Sequence, residues 1–361
     1  MIRDISIQNF RCFENTVISG FRIVNLITGK NNAGKTALLE ALLIGSSPRP
    51  DTIASLKGYR HESEEFDKTL PERAWDSMFF SQDNSQQISI QVNEDDNKSS
   101  KIFVSIDDDN SIQSFIESNE PNSTTTKYVD LSSTRKSRLK INITIDDKDN
   151  FKANLMATKQ GIVGTDSIIP EKRIVPFIPS SFIVSNEQIA DEYDKARLNY
   201  REEEVLNGFQ IIDPSIYLIE YFGIGSPMLY LTRNNEKRLP LSLFGDAINR
   251  IAAIILSIIN NDSNVLFVDE IENGIHYTNQ ISLWRMIFRL AKELNVQIFT
   301  TTHSLEMLKA FTEVGLESEF SDLGAHFEMA RSVKSGQIIG INRDMETLDY
   351  SLAHSKGVRG E

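Results

Sequence analysis

Residues Gly29-Lys30-Asn31-Asn32-Ala33-Gly34-Lys35-Thr36 fit the spacing G-x-x-x-x-G-K-[ST] at every fixed position. That spacing serves phosphate chemistry. Glycines let backbone N–H groups converge on phosphate oxygens, and a helix starting there adds positive potential. Gly29, Asn31, Asn32, Ala33 and Gly34 are therefore read as ATP-binding, with Lys35 supplying a point charge to the β- and γ-phosphates. The Thr36 hydroxyl is a ligand for Mg2+. A chance glycine-rich turn of this form arises in roughly 1% of chains this long, so a bound nucleotide is expected.

A phosphate loop also needs a carboxylate for Mg2+ and a group that positions water. Both stand far along the chain. Val265-Leu266-Phe267-Val268 runs into Asp269-Glu270, a buried strand closing in two acids, which belongs at the C-terminal edge of a parallel sheet. Asp269 would hold Mg2+, directly or through water, and Glu270 would act as base or orient the water. Taken alone, such a string is often just a strand with an acidic turn. Strand Val296–Thr300 ends in Thr301-Thr302-His303-Ser304, where His303 can meet the γ-phosphate; the plain alternative is Ser304 as an N-cap beside a structural histidine. Before a long helix, Ser242 and the N–H groups near Gly245 make a second anion-binding start, or an ordinary cap.

The elements that must position these groups are legible as patterns. Ile5 and Ile7 alternate with polar neighbours, and Phe21, Ile23, Leu26 and Ile27 lead into the loop. Residues Thr36 to Ile44 are apolar almost all round, as in a helix buried on most sides. From about 85 to 158, period-two runs (Ile88, Ile90, Val92; Ile102, Val104, Ile106; Leu139, Ile141, Ile143, Ile145) separated by acidic turns predict antiparallel hairpins with one wet face. Residues 118–138 are polar and predict a mobile loop. The spacing of Ile189, Tyr193, Ala196 and Tyr200 predicts one helix over 183–207. Beyond 228 the pattern alternates helix (Ala247–Ile259), strand, helix (Thr278–Leu294), strand and a short helix, then a hairpin near Gly336 and a last helix over 344–354.

Taken in order, these strings resemble the ABC-type ATPase heads of the RecF, SMC and OLD group. Ile5 to Phe13 is similar to the group's opening strand, Gly29 to Thr36 to its Walker A, Ser242 to Asp246 to its signature, and Val265 to Glu270 to its Walker B. Glu272-Asn273-Gly274-Ile275-His276 resembles the D-loop and Thr301 to Ser304 the switch-histidine loop. The fold class expected is α/β, a P-loop NTPase of ABC-ATPase type with an antiparallel β-rich and helical insertion. Residues 1–50 and 228–361 would form a discontinuous ATPase domain, 51–180 the β-rich insertion and 181–227 a helical segment. The signature departs from the transporter pattern at Phe244 and Asp246, and Ser242 falls one place early. For the Q-loop, Ser180-Ser181 and Gln188 lie in the right region. The resemblance implies a head-to-tail homodimer or larger homo-oligomer around two ATP molecules, with Ser242 of one chain at the γ-phosphate held by Lys35 of the other. The resemblance also implies that Arg11 approaches the nucleotide; on the residues alone it is equally a surface residue. A TOPRIM nuclease and long coiled-coil arms are not expected within 361 residues.

Composition bounds the biology. Lys+Arg 38 against Asp+Glu 51 gives a net charge of −13, which favours a protein partner over a sequence-independent DNA clamp. A single cysteine, Cys12, excludes an internal disulfide framework. No apolar run approaches the roughly 20 residues of a membrane helix, so a cytoplasmic protein with no membrane partner is expected. Arg135, Lys136, Arg138 and Lys140 are the basic cluster for nucleic acid or an acidic partner. The acidic turns are read as solvated hairpin tips rather than metal sites. The leading function is an Mg2+-dependent ATPase that controls a separately encoded effector, in phage defence or DNA repair. The alternatives are a DNA-binding repair ATPase acting alone and an ATP-bound assembly scaffold with little turnover.

Overall fold

Val265-Leu266-Phe267-Val268 is buried at every position. Its residues face two cores in alternation, Leu266 and Val268 on one side, Val265 and Phe267 on the other. The computed structural model describes residues 1–60, 62–107, 114–117, 127–130, 137–164, 174–180, 184–223 and 225–354. Elements are numbered in chain order. The central sheet has β3 (Val24–Gly29), β11 (Phe177–Ile178), β15 (Val265–Val268), β16 (Gln297–Thr301), β17 (Gly324–Arg331) and β18 (Ile338–Arg343). Their spatial order is β11-β15-β16-β3-β17-β18. All pairings are parallel except β17 with β18.

A second, antiparallel sheet covers one side. Its strands are β1 (Ile2–Phe10), β2 (Phe13–Ser19), β4 (Ile88–Glu94), β5 (Ser99–Asp107), β8 (Ser137–Ile145), β9 (Asp149–Thr158) and β10 (Gly161–Gly164). In the order β10-β9-β8-β5-β4-β1-β2, the strands of 88–164 extend the sheet opened by β1, Ile7 pairing with Ile90. The inward residues are the alternating ones the sequence marks, among them Ile5, Ile7, Ile90, Ile102 and Ile141. Between the sheets lies α1 (Lys35–Ser46), buried at Ala37 through Ser46, followed by α2 (Pro50–Tyr59) and α3 (Glu64–Thr69). A helix with protein on both sides has no polar face to show, which explains its composition.

The other face of the central sheet carries α4 (Asn186–Leu198), α5 (Glu202–Ile212), α6 (Asp246–Ile259), α7 (Gln280–Glu293), α8 (Leu305–Gly315) and α9 (Met345–Ala353). Two small sheets, β6 (Ser114–Glu117) with β7 (Lys127–Asp130), and β12 (Ile216–Phe222), β13 (Met228–Arg233) and β14 (Leu239–Pro240), complete the described chain. No helix among the described residues is long and apolar enough to cross a membrane.

Three local expectations change. The single helix over 183–207 is two, broken where Tyr200 turns left-handed at φ 57°. Tyr193 is buried as its spacing requires, but Tyr200 is 89% exposed. Within 118–138, Lys127–Asp130 is a strand and Ser137 opens β8; the remaining positions, Arg135 and Lys136 among them, lie outside the described residues. The basic cluster is not a free patch where it is described, since Arg138 and Lys140 both pair with Asp107. The acidic turns after β4 and β8 are hairpin tips, while 108–110 of the third lie outside the described residues. Asp96, Asn97, Asp146 and Asp147 all take positive φ, which short polar side chains tolerate.

One buried side chain ties the two sheets together. Gln297 on β16 accepts from the Ile2 N–H at 2.7 Å and donates to the Ile2 and Arg22 carbonyls, both at 2.9 Å. Gln297→Ala strands these groups without water, so unfolding in urea should show a loss of about 2–3 kcal/mol at unchanged slope.

Candidate active site

The phosphate loop connects β3 to α1, and its backbone is built for close approach. At Gly29, φ is 145°, and a Cβ would stand 2.4 Å from the Met329 carbonyl oxygen of β17. Only glycine fits there. The chain turns left-handed again at Asn32 (φ 60°) and at Gly34 (φ 91°), the residue capping α1. Asn31 and Asn32 are exposed and Ala33 is buried, its N–H donating to the Lys30 carbonyl at 3.1 Å. Lys35 folds back over the loop, donating to the Gly29 carbonyl at 2.9 Å and the Lys30 carbonyl at 3.0 Å. Burial pushes its ammonium down to about 8, against the opposing pull of Asp269, Glu270 and Glu272.

The acids of β15 arrive from the neighbouring strand end. Asp269 is buried, and Thr36 Oγ1 lies 3.2 and 3.1 Å from its two oxygens. Thr301 at the end of β16 donates to Asp269 Oδ1 at 2.6 Å and accepts the Glu270 N–H at 2.8 Å. One hydroxyl thus fixes both acids. Burial raises the Asp269 carboxyl above the usual carboxylate range, although the Thr301 and Thr36 hydroxyls oppose it. Glu270 sits in left-handed backbone (φ 47°), with Oε1 3.6 Å from His303 Nε2 and Oε2 accepting from Asn273 Nδ2 at 3.0 Å. The N-cap reading of the histidine loop holds for Ser304. Ser304 does cap α8, accepting the Met307 N–H at 3.1 Å, while His303 beside it lines the cleft.

That cleft, of about 820 Å³, is bounded by Asn31, Lys35, Thr36, Glu270, His303 and Arg11. The Arg11 side chain is 6% exposed, its Nε 3.1 Å from Glu40 Oε2 and its Nη1 3.2 Å from Glu62 Oε1. Its Nη2 is buried with no partner among the described residues. Among the described residues, Ser242 and Gly245 are not part of the wall; both are exposed, and Leu243 between them is 68% exposed. No side chain caps α6. The helix is capped by the backbone at Gly245, whose carbonyl accepts the Ile248 N–H at 3.2 Å, so the ordinary-cap reading holds at Gly245 and Ser242 does not cap the helix. Of the Q-loop positions, Gln188 is spent on a capping box with Ser185, Ser181 lies outside the described residues, and Ser180 ends beside the site.

Sequence reasoning assigned no role to several residues that hold the site. Arg250 on α6 donates to the Asp269 carbonyl at 2.7 Å and the Glu270 carbonyl at 3.0 Å. Glu272 accepts the His303 N–H at 2.6 Å. Arg60 reaches Glu40 Oε2 at 3.0 Å. Arg250 and Glu40 carried a readable signal, each a charge inside an otherwise apolar helix.

Comparison with known proteins agrees with this geometry. A family profile described as "AAA domain, putative AbiEii toxin, Type IV TA system" matches residues 24–309. The chain belongs to this family. It is an ABC-type P-loop ATPase, and it hydrolyses ATP. An "ATP/GTP phosphatase" of Helicobacter pylori is 28% identical over 342 residues, 89% of this chain and 90% of that one. The DNA double-strand break repair Rad50 ATPase of Pyrococcus abyssi is 43% identical over 44 residues, 12% of this chain and 5% of the relative. A solved SmcHead bound to the C-winged helix domain of ScpA superposes with a TM-score of 0.51 at 10% identity, covering 97% of this chain and 99% of that one. It shares the fold.

Because Lys35 is held buried at an energetic cost, Lys35→Met should leave the melting temperature of the nucleotide-free ATPase unchanged or higher. The same substitution should abolish the rise that ATP at 100 times its Kd otherwise gives, about 2.7 kcal/mol by mass action. Differential scanning fluorimetry with and without ATP reads both.

Proposed function

We propose that this ATPase is a nucleotide-driven switch: two copies pack head to tail around two ATP molecules and control a separately encoded effector. The observation that carries the reading is the placement of Ser242, Leu243 and Gly245, exposed just before α6 and outside the cleft of their own chain. A second copy would bring these N–H groups to the γ-phosphate. ATP then becomes part of the interface, and its hydrolysis removes the contacts that distinguish the two states.

Within each cleft, Lys35 and the N–H groups of Asn31 to Gly34 bind phosphate. The residues fit Mg2+: two hard oxygen ligands, Thr36 and Asp269, face one another, and a buried carboxyl pushed above its usual range gains from a cation. When bound, Mg2+ offsets charge on the β- and γ-oxygens. Glu270 orients or deprotonates the attacking water, and His303 contacts the γ-phosphate. We read 1–50 and 228–361 as the ATPase proper, with 51–180 and 181–227 as its additions.

The family's description as a putative toxin of a type IV toxin–antitoxin system supports a defence role. The net charge of −13 and the pairing of Arg138 and Lys140 to Asp107 favour a protein effector over nucleic acid. A scaffold without turnover is disfavoured, since Glu270 is held ready beside His303.

Glu270→Gln should retain ATP and accumulate as a dimer by light scattering. Adding Ser242→Arg to that chain should return the monomer. A Glu270→Gln chain that holds ATP yet stays monomeric would sink the composite site.

A further inference from the structure

Glu270 is fixed at more points than a loop acid needs. Its N–H is tied to Thr301 and its carbonyl accepts from Arg250 Nη2 at 3.0 Å and from the Asn273 N–H at 3.0 Å. The side-chain amide of Asn273 then reaches two acceptors at once, Glu270 Oε2 and the Ser180 carbonyl, each at 3.0 Å. An amide nitrogen has two hydrogens, and both are used. Aspartate at this position has no donor, serine has one, and glutamine is a methylene longer.

Ser180 is not an arbitrary partner. It follows β11, which is laid parallel along β15 with Phe177 beside Phe267 and Ile178 beside Val268. The Asp269 N–H donates to the Ile178 carbonyl at 2.9 Å, and Asn273 makes the next link up the same edge. Residues 177–180 thus travel with 267–270 as one unit.

We propose that Asn273 is a positioning residue for hydrolysis: its amide fixes the carboxylate of Glu270 against the chain at Ser180. The inference rests on Glu270 carrying hydrolysis. Holding Oε2 leaves Oε1 toward His303 and the cleft, where the water must stand. Without the amide the carboxylate rotates freely about its last bonds, and ATP binding, made by the phosphate loop, is untouched.

The test is single-turnover hydrolysis and ATP affinity for the full chain with Asn273→Ala, Asn273→Ser and Glu270→Gln, singly and combined. Asn273→Ala should lower kcat by ~10- to 100-fold, the size of one hydrogen bond to a charged group, with ATP affinity within about threefold of the parent. Asn273→Ser, keeping one donor, should fall between, and it serves where the alanine chain does not fold. On the Glu270→Gln background neither should lower kcat further, as for residues acting as a unit. Unchanged kcat in Asn273→Ala, or equal loss of kcat and ATP affinity, overturns the proposal while leaving Glu270 in its role. If Glu270→Gln hydrolyses ATP at the parental rate, the underlying reading fails and the proposal with it.

Discussion

The fold depends on one buried carboxyl. Asp269 sits where α1, β15 and β16 converge, and it is held by a hydroxyl from each of the other two, Thr36 and Thr301. Thr36 and Asp269 are 233 positions apart. A charge-bearing group at that depth is tolerable only while its hydrogen bonds are made, so the register of β3, β16 and β15 at their C-terminal ends is fixed to within a bond length. The parallel order of the sheet follows from this need. Three strands must end on the same edge for a phosphate loop, its carboxylates and a histidine to share a cleft.

The same economy explains α1. Its first turn presents Lys35 and Thr36 to the cleft, and one turn later Glu40 holds Arg11 and Arg60 from the antiparallel side. The helix is apolar elsewhere because a sheet lies on each side. The antiparallel sheet is thus a wall of the nucleotide site: Arg11 leaves β1 in left-handed backbone (φ 52°), lines the cleft, and has a buried Nη2 with no partner among the described residues. An unpaired buried donor is costly unless a ligand supplies the acceptor.

Sequence legibility followed the physics of each part. The phosphate loop was readable because its chemistry demands fixed residue types at fixed spacing. The buried strands were readable because double-sided burial forces continuous apolar runs. The pairing of β4 with β1 was not, since period-two alternation specifies a face and leaves the partner strand open. The break at Tyr200 was hidden for a related reason: spacing that continued the apolar stripe took no account of a left-handed turn. Arg250 was marked only as a charge in an apolar helix, and Glu272 and Asn273 only by the D-loop resemblance; the partners they bond across the fold leave no local pattern.

A single helix links the outward and inward parts of the site. The exposed N-terminus of α6 would meet the partner's nucleotide in the proposed dimer, and Arg250, in the second turn of that helix, grips the carbonyls of Asp269 and Glu270 in its own chain. Its burial lowers the guanidinium's affinity for its proton, and the surrounding acids restore part of it, so the contact is costly to make anywhere else. In the proposed dimer the helix that meets one ATP would thus also carry the residue that holds the acids beside the other.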